Sequence, residues 1–247
     1  MRAINLFIKR AFDIIVSLVL IIMLTAIPVL LIIPIIIKLT SKGPAVFTQE
    51  RVGKGGKVFK IYKFRTMLIP EESVNPDGSV KTPKERITKV GRFLRKTSLD
   101  ELMQLFNVLF GHMSIVGPRP TLPYQVERYD ERQMHRHDMR PGVTGWAQVN
   151  GRNELTWGEK IEFDLEYVEK FSIFMDIKIL FKTVGVVFGK KGIDFNKPDK
   201  FSSTVQAEPV EAPVDAAEEA AAPIENTDSE ATETAPEATE EKTAETV

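Results

Sequence analysis

Residues 14–37 read IIVSLVLIIMLTAIPVLLIIPIII, 24 positions without a charged side chain. About 20 apolar residues are enough to cross a bilayer, so the run is first of all a membrane segment. It is too long for a removable signal peptide and lacks a small-residue cleavage site. Two features argue against a straight span. Pro28 sits mid-run and Pro34 follows, each removing a helical hydrogen bond and bending the axis. Lys9 and Arg10 precede the run and Lys38 and Lys42 follow it, so positive charge sets no orientation, whereas a helix that bends and returns keeps both ends cytoplasmic. Thr25 is placed to satisfy a carbonyl freed at Pro28. A re-entrant helix-break-helix and a kinked span both remain open on these residues.

Charge divides the rest of the chain. Residues 206–247 hold 13 acidic residues and one lysine, a net of −12, while residues 1–205 hold 32 basic and 21 acidic residues, a net of +11. A basic body suits phosphates, anionic lipid or nucleic acid. The terminal stretch is Ala, Glu, Thr and Pro without aromatics, a composition that cannot offset chain entropy by burial, and it reads as a disordered acidic tail. With no cysteine, disulfides and thiol chemistry are excluded. The three histidines form no i, i+4 pair, so no zinc site is suggested.

Two β-rich runs at 46–52 and 57–65 flank Gly53-Lys54-Gly55-Gly56 and predict a hairpin. Its turn is no P-loop, lacking the spaced Gly-Lys-Ser/Thr. Lys63 and Arg65 share one strand face. A polar loop covers 68–83, and Arg86, Lys89, Arg92, Arg95 and Lys96 then make a short basic helix. Ser98-Leu99-Asp100-Glu101 follows. Serine with Glu three residues on fits a capping box, which predicts a helix from about Leu99 through Phe110. Asp100 and Glu101 would lie in its first turn, where free N–H groups favour negative charge. An ionised aspartate facing arginines is what attack on phosphorus needs. A capped, solvated first turn needs the same residues, so this stretch alone leaves both readings standing.

Residues 140–152 form a loop rich in hydrogen-bonding groups, including Arg140, Gln148, Asn150 and Arg152; it suits a ligand site or a packed connector equally. A helix is predicted at about 157–171. Residues 173–188 are mostly apolar but too short and too charged to span, and fit either an interfacial helix or a core helix.

Several stretches then converge: Lys9-Arg10-Ala11-Phe12-Asp13, Phe47-Thr48-Gln49-Glu50-Arg51, Lys60-Ile61-Tyr62-Lys63-Phe64-Arg65-Thr66-Met67, Ser98-Leu99-Asp100-Glu101-Leu102, Val116-Gly117-Pro118-Arg119-Pro120 and the 140–152 loop. Together they resemble the small monotopic phosphoglycosyl transferases, the bacterial sugar transferase family, from about Lys9 to Thr183. The likeness is greatest to the short bacillosamine-type form without an extra multi-span domain. The resemblance implies an α+β, mostly helical monotopic fold with a re-entrant membrane helix at 1–42, broken at Pro28. A cytoplasmic catalytic domain with interfacial helices follows at 43–202, and the disordered tail at 203–247 has no counterpart in the family core.

The implied reaction moves a sugar 1-phosphate from a UDP-sugar, with an N-acetylated sugar favoured, to undecaprenyl phosphate. UMP is released, and Mg²⁺ serves as cofactor. The implied place is the bacterial cytoplasmic membrane with the catalytic domain facing the cytoplasm; nucleic acid is not among the partners, and a homo-oligomer stays open. By the match Asp100 is the nucleophile, forming a phosphosugar-aspartyl intermediate, and the Mg²⁺ ligand. Glu101 is its dyad partner, handling the acceptor's proton. Lys63, Arg95, Gly117, Pro118 and Arg119 bind phosphate or substrate. Arg65, Arg140, Gln148, Asn150, Arg152, Asp164 and Asp176 are supporting positions. One departure is Ile27-Pro28 where the family usually has Ser-Pro. The competing reading is a non-catalytic membrane adaptor with a basic body and a partner-recruiting acidic tail.

Overall fold

A computed structural model of the chain describes residues 2–75, 77–82, 84–151 and 154–189. Arg152, the acidic tail and the expected domain boundary at 202 lie outside the described residues. Within them the fold is α+β and mostly helical.

The apolar run forms α1 (Arg2–Ala26) and α2 (Val29–Thr40), bent by 61° at the break. Among the described residues no single helix is long and apolar enough to cross a membrane; the bent pair meets that test only jointly. Past the break, the N–H groups of Leu31 and Ile32 both donate to the Pro28 carbonyl, at 3.1 and 2.8 Å. Thr25 does not repair the break as expected. Its hydroxyl donates to the Ile21 carbonyl at 2.7 Å, because a helical threonine reaches only carbonyls three or four residues back. The Leu24 carbonyl, which a residue-28 N–H would have met, is one residue away and out of reach.

Helix α1 is turned inside out relative to an ordinary surface helix. Its buried residues are Lys9, Asp13 and Ser17, one turn apart, while Phe7, Ile15 and Ile22 are exposed. Lys9 Nζ donates to Asp176 Oδ2 at 2.7 Å, and Asp13 Oδ1 accepts the Ile115 N–H at 2.9 Å. Polar side chains thus tie the helix to the body; Leu6, Ile21 and Leu24 pack against its core clusters, while most of the other apolar side chains are exposed.

Strands β1 (Val46–Val52) and β2 (Val58–Phe64) pair antiparallel, Val46 opposite Phe64 and Val52 opposite Val58, in the predicted hairpin. Helix α3 (Lys89–Thr97) starts at Thr88, whose hydroxyl accepts the Gly91 N–H at 2.8 Å. Gly91 lies against the Thr66 backbone so closely that a Cβ would stand 1.9 Å from the Thr66 carbonyl oxygen. Next come α4 (Gln104–Leu109), β3 (Ser114–Val116), α5 (Pro123–Val126), α6 (Glu131–Met134) and β4 (Gly142–Thr144). Strands β3 and β4 pair in parallel, a pairing across 28 residues that the loop-like sequence did not reveal.

Helices α7 (Trp146–Val149), α8 (Trp157–Glu169) and α9 (Ile173–Gly189) complete the body. Helix α9 has one apolar face in the core and another exposed. Ile179 is fully buried in a cluster with Val116, Trp146 and Tyr167, while Phe174, Ile177, Phe181 and Val184 form an exposed apolar stripe. Lys178 and Lys182 lie over the Trp146 ring, 5.1 and 4.6 Å from its centre.

Candidate active site

The expected capping box is replaced by a tighter arrangement. Ser98 takes a left-handed conformation (φ 57°) and ends α3, its N–H donating to the Arg95 carbonyl at 3.3 Å. Leu99–Glu101 forms a single 3-10 turn, and Ser98 makes no side-chain cap to it. Asp100 and Glu101 therefore sit in the junction between α3 and α4 rather than in the first turn of a long helix. This corrects the predicted helix from Leu99 through Phe110: the regular part is α4 alone, and its buried positions are Gln104, Leu105, Asn107 and Val108.

Three separate segments bring cations to this turn. Lys63, one residue before the end of β2, donates to Glu101 Oε1 at 3.0 Å, and Arg119 in the loop after β3 reaches the same oxygen at 3.2 Å. Arg95, from the last turn of α3, donates to Thr66 Oγ1 at 2.8 Å and acts electrostatically on Asp100. Fully buried Asn107 fixes β2 against α4: the Tyr62 N–H donates to Asn107 Oδ1 at 3.0 Å and Asn107 Nδ2 to the Lys60 carbonyl at 2.8 Å. The register that presents Lys63 to Glu101 is set there.

Two adjacent carboxylates are driven apart. Burial pushes Glu101 up, but Arg119 and Lys63 outweigh it and hold the carboxyl at about 2. Asp100 makes no hydrogen bond or ion pair among the described residues. Burial and then the Glu101 charge raise its carboxyl above the usual value, against the pull of Lys63, Arg95 and Arg119. Asp100 is thus the more basic carboxylate of the two and the uncommitted one, beside a cationic cluster. That pairing of roles is what nucleophilic attack on a charged phosphorus centre uses.

Arg51 is a neighbour that sequence reasoning quoted but did not select. It donates to the Pro120 carbonyl at 3.4 Å and to Gln49 Oε1 at 2.7 Å. Burial, with repulsion from Arg119, lowers its guanidinium to about 10. Its place on β1, two residues from Gln49 in the Gln-Glu-Arg run, was the available signal.

Gly117 and Pro118 shape the loop that carries Arg119. The Gly117 N–H donates to the Thr144 carbonyl at 2.9 Å, and the Gly142 N–H to the Pro118 carbonyl at 2.8 Å. A Cβ on Gly117 would stand 2.3 Å from the Arg140 carbonyl oxygen, so the close approach of the two strands requires glycine.

Other expected site residues hold the scaffold. Arg65 leaves the strand face it was expected to share with Lys63 and bonds the Ser41 and Lys42 carbonyls, closing the C-terminal end of α2. Arg140 Nε donates to the Gly111 carbonyl at 2.9 Å. Asn150 bonds the Trp146 carbonyl and Lys182 Nζ, each at 2.8 Å. Gln148 lies against Gly145, its amide oxygen and nitrogen buried without a hydrogen-bond partner among the described residues. Asp176 joins Lys9 and the Tyr167 hydroxyl. Asp164 pairs with Arg136, and both are fully buried; Arg136 also bonds the Tyr129 hydroxyl and the Arg119 carbonyl. Asp164 thereby stands behind the Arg119 loop.

Among the described residues no group of three or more His, Asp or Glu side chains gathers to hold a cation. Mg²⁺ does not need such a cage, since one or two carboxylates suffice when substrate phosphates supply the remaining oxygens. The uncommitted Asp100 carboxylate fits that requirement, whereas Glu101 Oε1 is already taken by two cations.

The chain matches the bacterial sugar transferase family over residues 4–190. It is 48% identical over 194 residues to a UDP-glucose:undecaprenyl-phosphate glucose-1-phosphate transferase of Klebsiella pneumoniae, covering 74% of this chain and 41% of the relative. An undecaprenyl-phosphate galactose phosphotransferase of Salmonella typhimurium is 42% identical over 205 residues, 75% of this chain and 41% of the relative. EpsL of Bacillus subtilis, described as an uncharacterized sugar transferase, is 47% identical over 158 residues, 64% of this chain and 77% of its own length. The chain thus spans about two fifths of the first two relatives. On the family match, which extends from α1 to the residue after α9 and includes every segment of the cationic turn, the chain belongs to the bacterial sugar transferase family.

Proposed function

We propose that the chain transfers a sugar 1-phosphate from a UDP-sugar to undecaprenyl phosphate, releasing UMP, in two steps through Asp100. In the first, an Asp100 carboxylate oxygen attacks the sugar-linked phosphorus; the bond from that phosphorus to the bridging oxygen breaks, and UMP leaves with the oxygen. In the second, a phosphate oxygen of the acceptor attacks the same phosphorus, the bond to Asp100 breaks and the carboxylate is restored. The single observation that carries this reading is the uncommitted, raised Asp100 beside Lys63, Arg95 and Arg119.

Lys63, Arg95 and Arg119 lower the cost of bringing a carboxylate to a diphosphate. Mg²⁺ would be held by Asp100 with the donor's phosphate oxygens and would supply further charge neutralisation. Glu101 is held low, at about 2, and bound by Lys63 and Arg119, which favours a positioning role over the proton-handling one the resemblance implied. Its work is to hold Lys63 and Arg119 and to keep Asp100 basic, which makes it a positioning residue. Glu101→Gln should therefore lower kcat and move the acid limb of the first step's pH profile to lower pH, because losing the Glu101 charge lowers the Asp100 pKa. A limb that stays in place contradicts this role.

The inside-out α1, the exposed apolar face of α2 and the stripe on α9 support a membrane-seated protein with a re-entrant α1–α2 pair and α9 lying at the interface. The family resemblance favours an N-acetylated donor, while relatives carry glucose and galactose in their names. The experiment is nucleotide release from purified protein with Mg²⁺, undecaprenyl phosphate and a panel of UDP-hexoses and UDP-N-acetylhexosamines. Acceptor-dependent UMP supports the reading and names the donor; UDP as product, or no nucleotide with any donor, counts against it.

A further inference from the structure

An apolar groove of about 360 Å³ runs between the membrane-type helix α2 and the basic helix α3. Ile33 and Ile36 of α2 line one side, Val90, Phe93 and Leu94 of α3 the other, and Leu99 also lines it. Leu94 and Ile33 are buried, at 2% and 7% exposure, and serve as floor, while Phe93 and Ile36 are 58% and 40% exposed and form the rim. Rim residues this apolar and this open call for an apolar occupant. Leu99, one of the lining residues, immediately precedes Asp100 in the chain, so the groove and the uncommitted carboxylate share the Leu99–Glu101 turn. At its other side α2 exposes Leu31, Ile32 and Ile35, so the groove continues into an apolar face.

The two chemistries meet at one point. Cationic Arg95, the residue immediately after groove-lining Leu94, acts on Asp100, and Lys89 is itself among the lining residues. A ligand suited to both has an anionic phosphate head and a hydrocarbon chain leaving it directly. An ordinary soluble phosphate has no use for the groove, and a neutral hydrocarbon has none for the cations.

We propose that this groove seats the isoprenoid units next to the phosphate of the polyprenyl phosphate acceptor, delivering that phosphate to the phosphosugar held on Asp100. The proposal rests on the two-step reading above and adds the acceptor's path. It assigns Ile36 and Val90, which no motif singled out, to acceptor recognition. The branched methyl groups of isoprenoid chains would pack between Phe93 and Ile36, where a fit to shape adds to the simple burial of area.

The test separates the two steps. Exchange of labelled UMP into UDP-sugar, without acceptor, reports the first step; undecaprenyl-phosphate dependence of product formation reports the second. Ile36→Trp and Val90→Phe fill the groove from opposite walls without adding charge. Each is expected to leave UMP exchange within about twofold of the native rate and to raise the acceptor KM tenfold or more. An unchanged acceptor KM overturns the proposal. So does an equal loss in both steps, which would mean the groove holds a structural acyl chain of the bilayer. Absence of exchange in the native protein sinks the two-step reading itself, an outcome distinct from either. Independently of variant folding, a polyprenyl phosphate bearing a photoreactive group near its phosphate should label native residues 89–94; labelling confined to other segments contradicts the assignment.

Discussion

Asp100→Asn is expected to lower turnover by about 10⁴-fold or more and, at neutral pH, to raise the thermal midpoint of the protein. The first effect follows from removing the nucleophile, since an amide cannot form the covalent bond to phosphorus and the remaining cations offer binding alone. The second follows from the electrostatics of the turn. Burial and the Glu101 charge disfavour ionised Asp100 in the folded state, so its carboxyl is raised relative to the unfolded chain. Stability from such a group is fully present while it is protonated and is lost as pH rises through the folded pKa. The Asn amide carries no charge to lose it with. The gain should therefore appear above that pKa and vanish below about 3.9, where the unfolded carboxyl is itself protonated. Thermal unfolding of both proteins in the same membrane mimetic across pH checks this. A variant that is inactive because it is destabilised would show the opposite sign.

Asp164→Asn is expected to cost about 3–5 kcal/mol. The variant leaves the Arg136 guanidinium fully buried without its counter-charge, and that uncompensated charge is the source of the loss. Replacing both partners by apolar residues, Asp164→Leu with Arg136→Met, removes the buried charge and should recover much of the stability. Activity should not recover with it. Arg136 donates to the Arg119 carbonyl at 3.0 Å, and the loop that aims Arg119 at Glu101 would lose that anchor. Chemical unfolding read beside kcat distinguishes the roles: recovery of both means Asp164 only stabilises, while recovery of stability alone makes the pair a support of the site.

What the sequence carried well was local. The hairpin at 46–64 follows from β-rich runs around glycines, α3 from the spacing of its basic residues, and α8 and α9 from their apolar residues. Lys63, Arg95, Asp100, Glu101 and Arg119 do gather at one turn, as the resemblance implied. What was missed depends on distant partners. Ser98 reads as an N-cap on spacing alone, but α3 ends on it in a left-handed conformation, its N–H returning to the Arg95 carbonyl. Arg65 alternates with Lys63 and so reads as its companion; the strand ends at Phe64, and Arg65 turns to the Ser41 and Lys42 carbonyls just past α2 instead. The β3–β4 pairing and the Asn107 clamp join segments 28 and 45 residues apart, which no local pattern encodes. The buried Lys9, Asp13 and Ser17 look like polar intrusions at the start of the apolar run until α1 is seen to face the body with them.

The claim everything else depends on is that Asp100 carries the sugar phosphate between the two substrates. Its most direct test is to incubate the purified protein with the UDP-sugar that supports turnover, without acceptor, and to weigh the protein and its Asp100-containing peptide by mass spectrometry. The account predicts a mass increase equal to one sugar phosphate on that peptide, discharged by undecaprenyl phosphate and absent in Asp100→Asn. An unmodified peptide from protein that nevertheless releases UMP when acceptor is added would mean direct transfer between the substrates, and would contradict it.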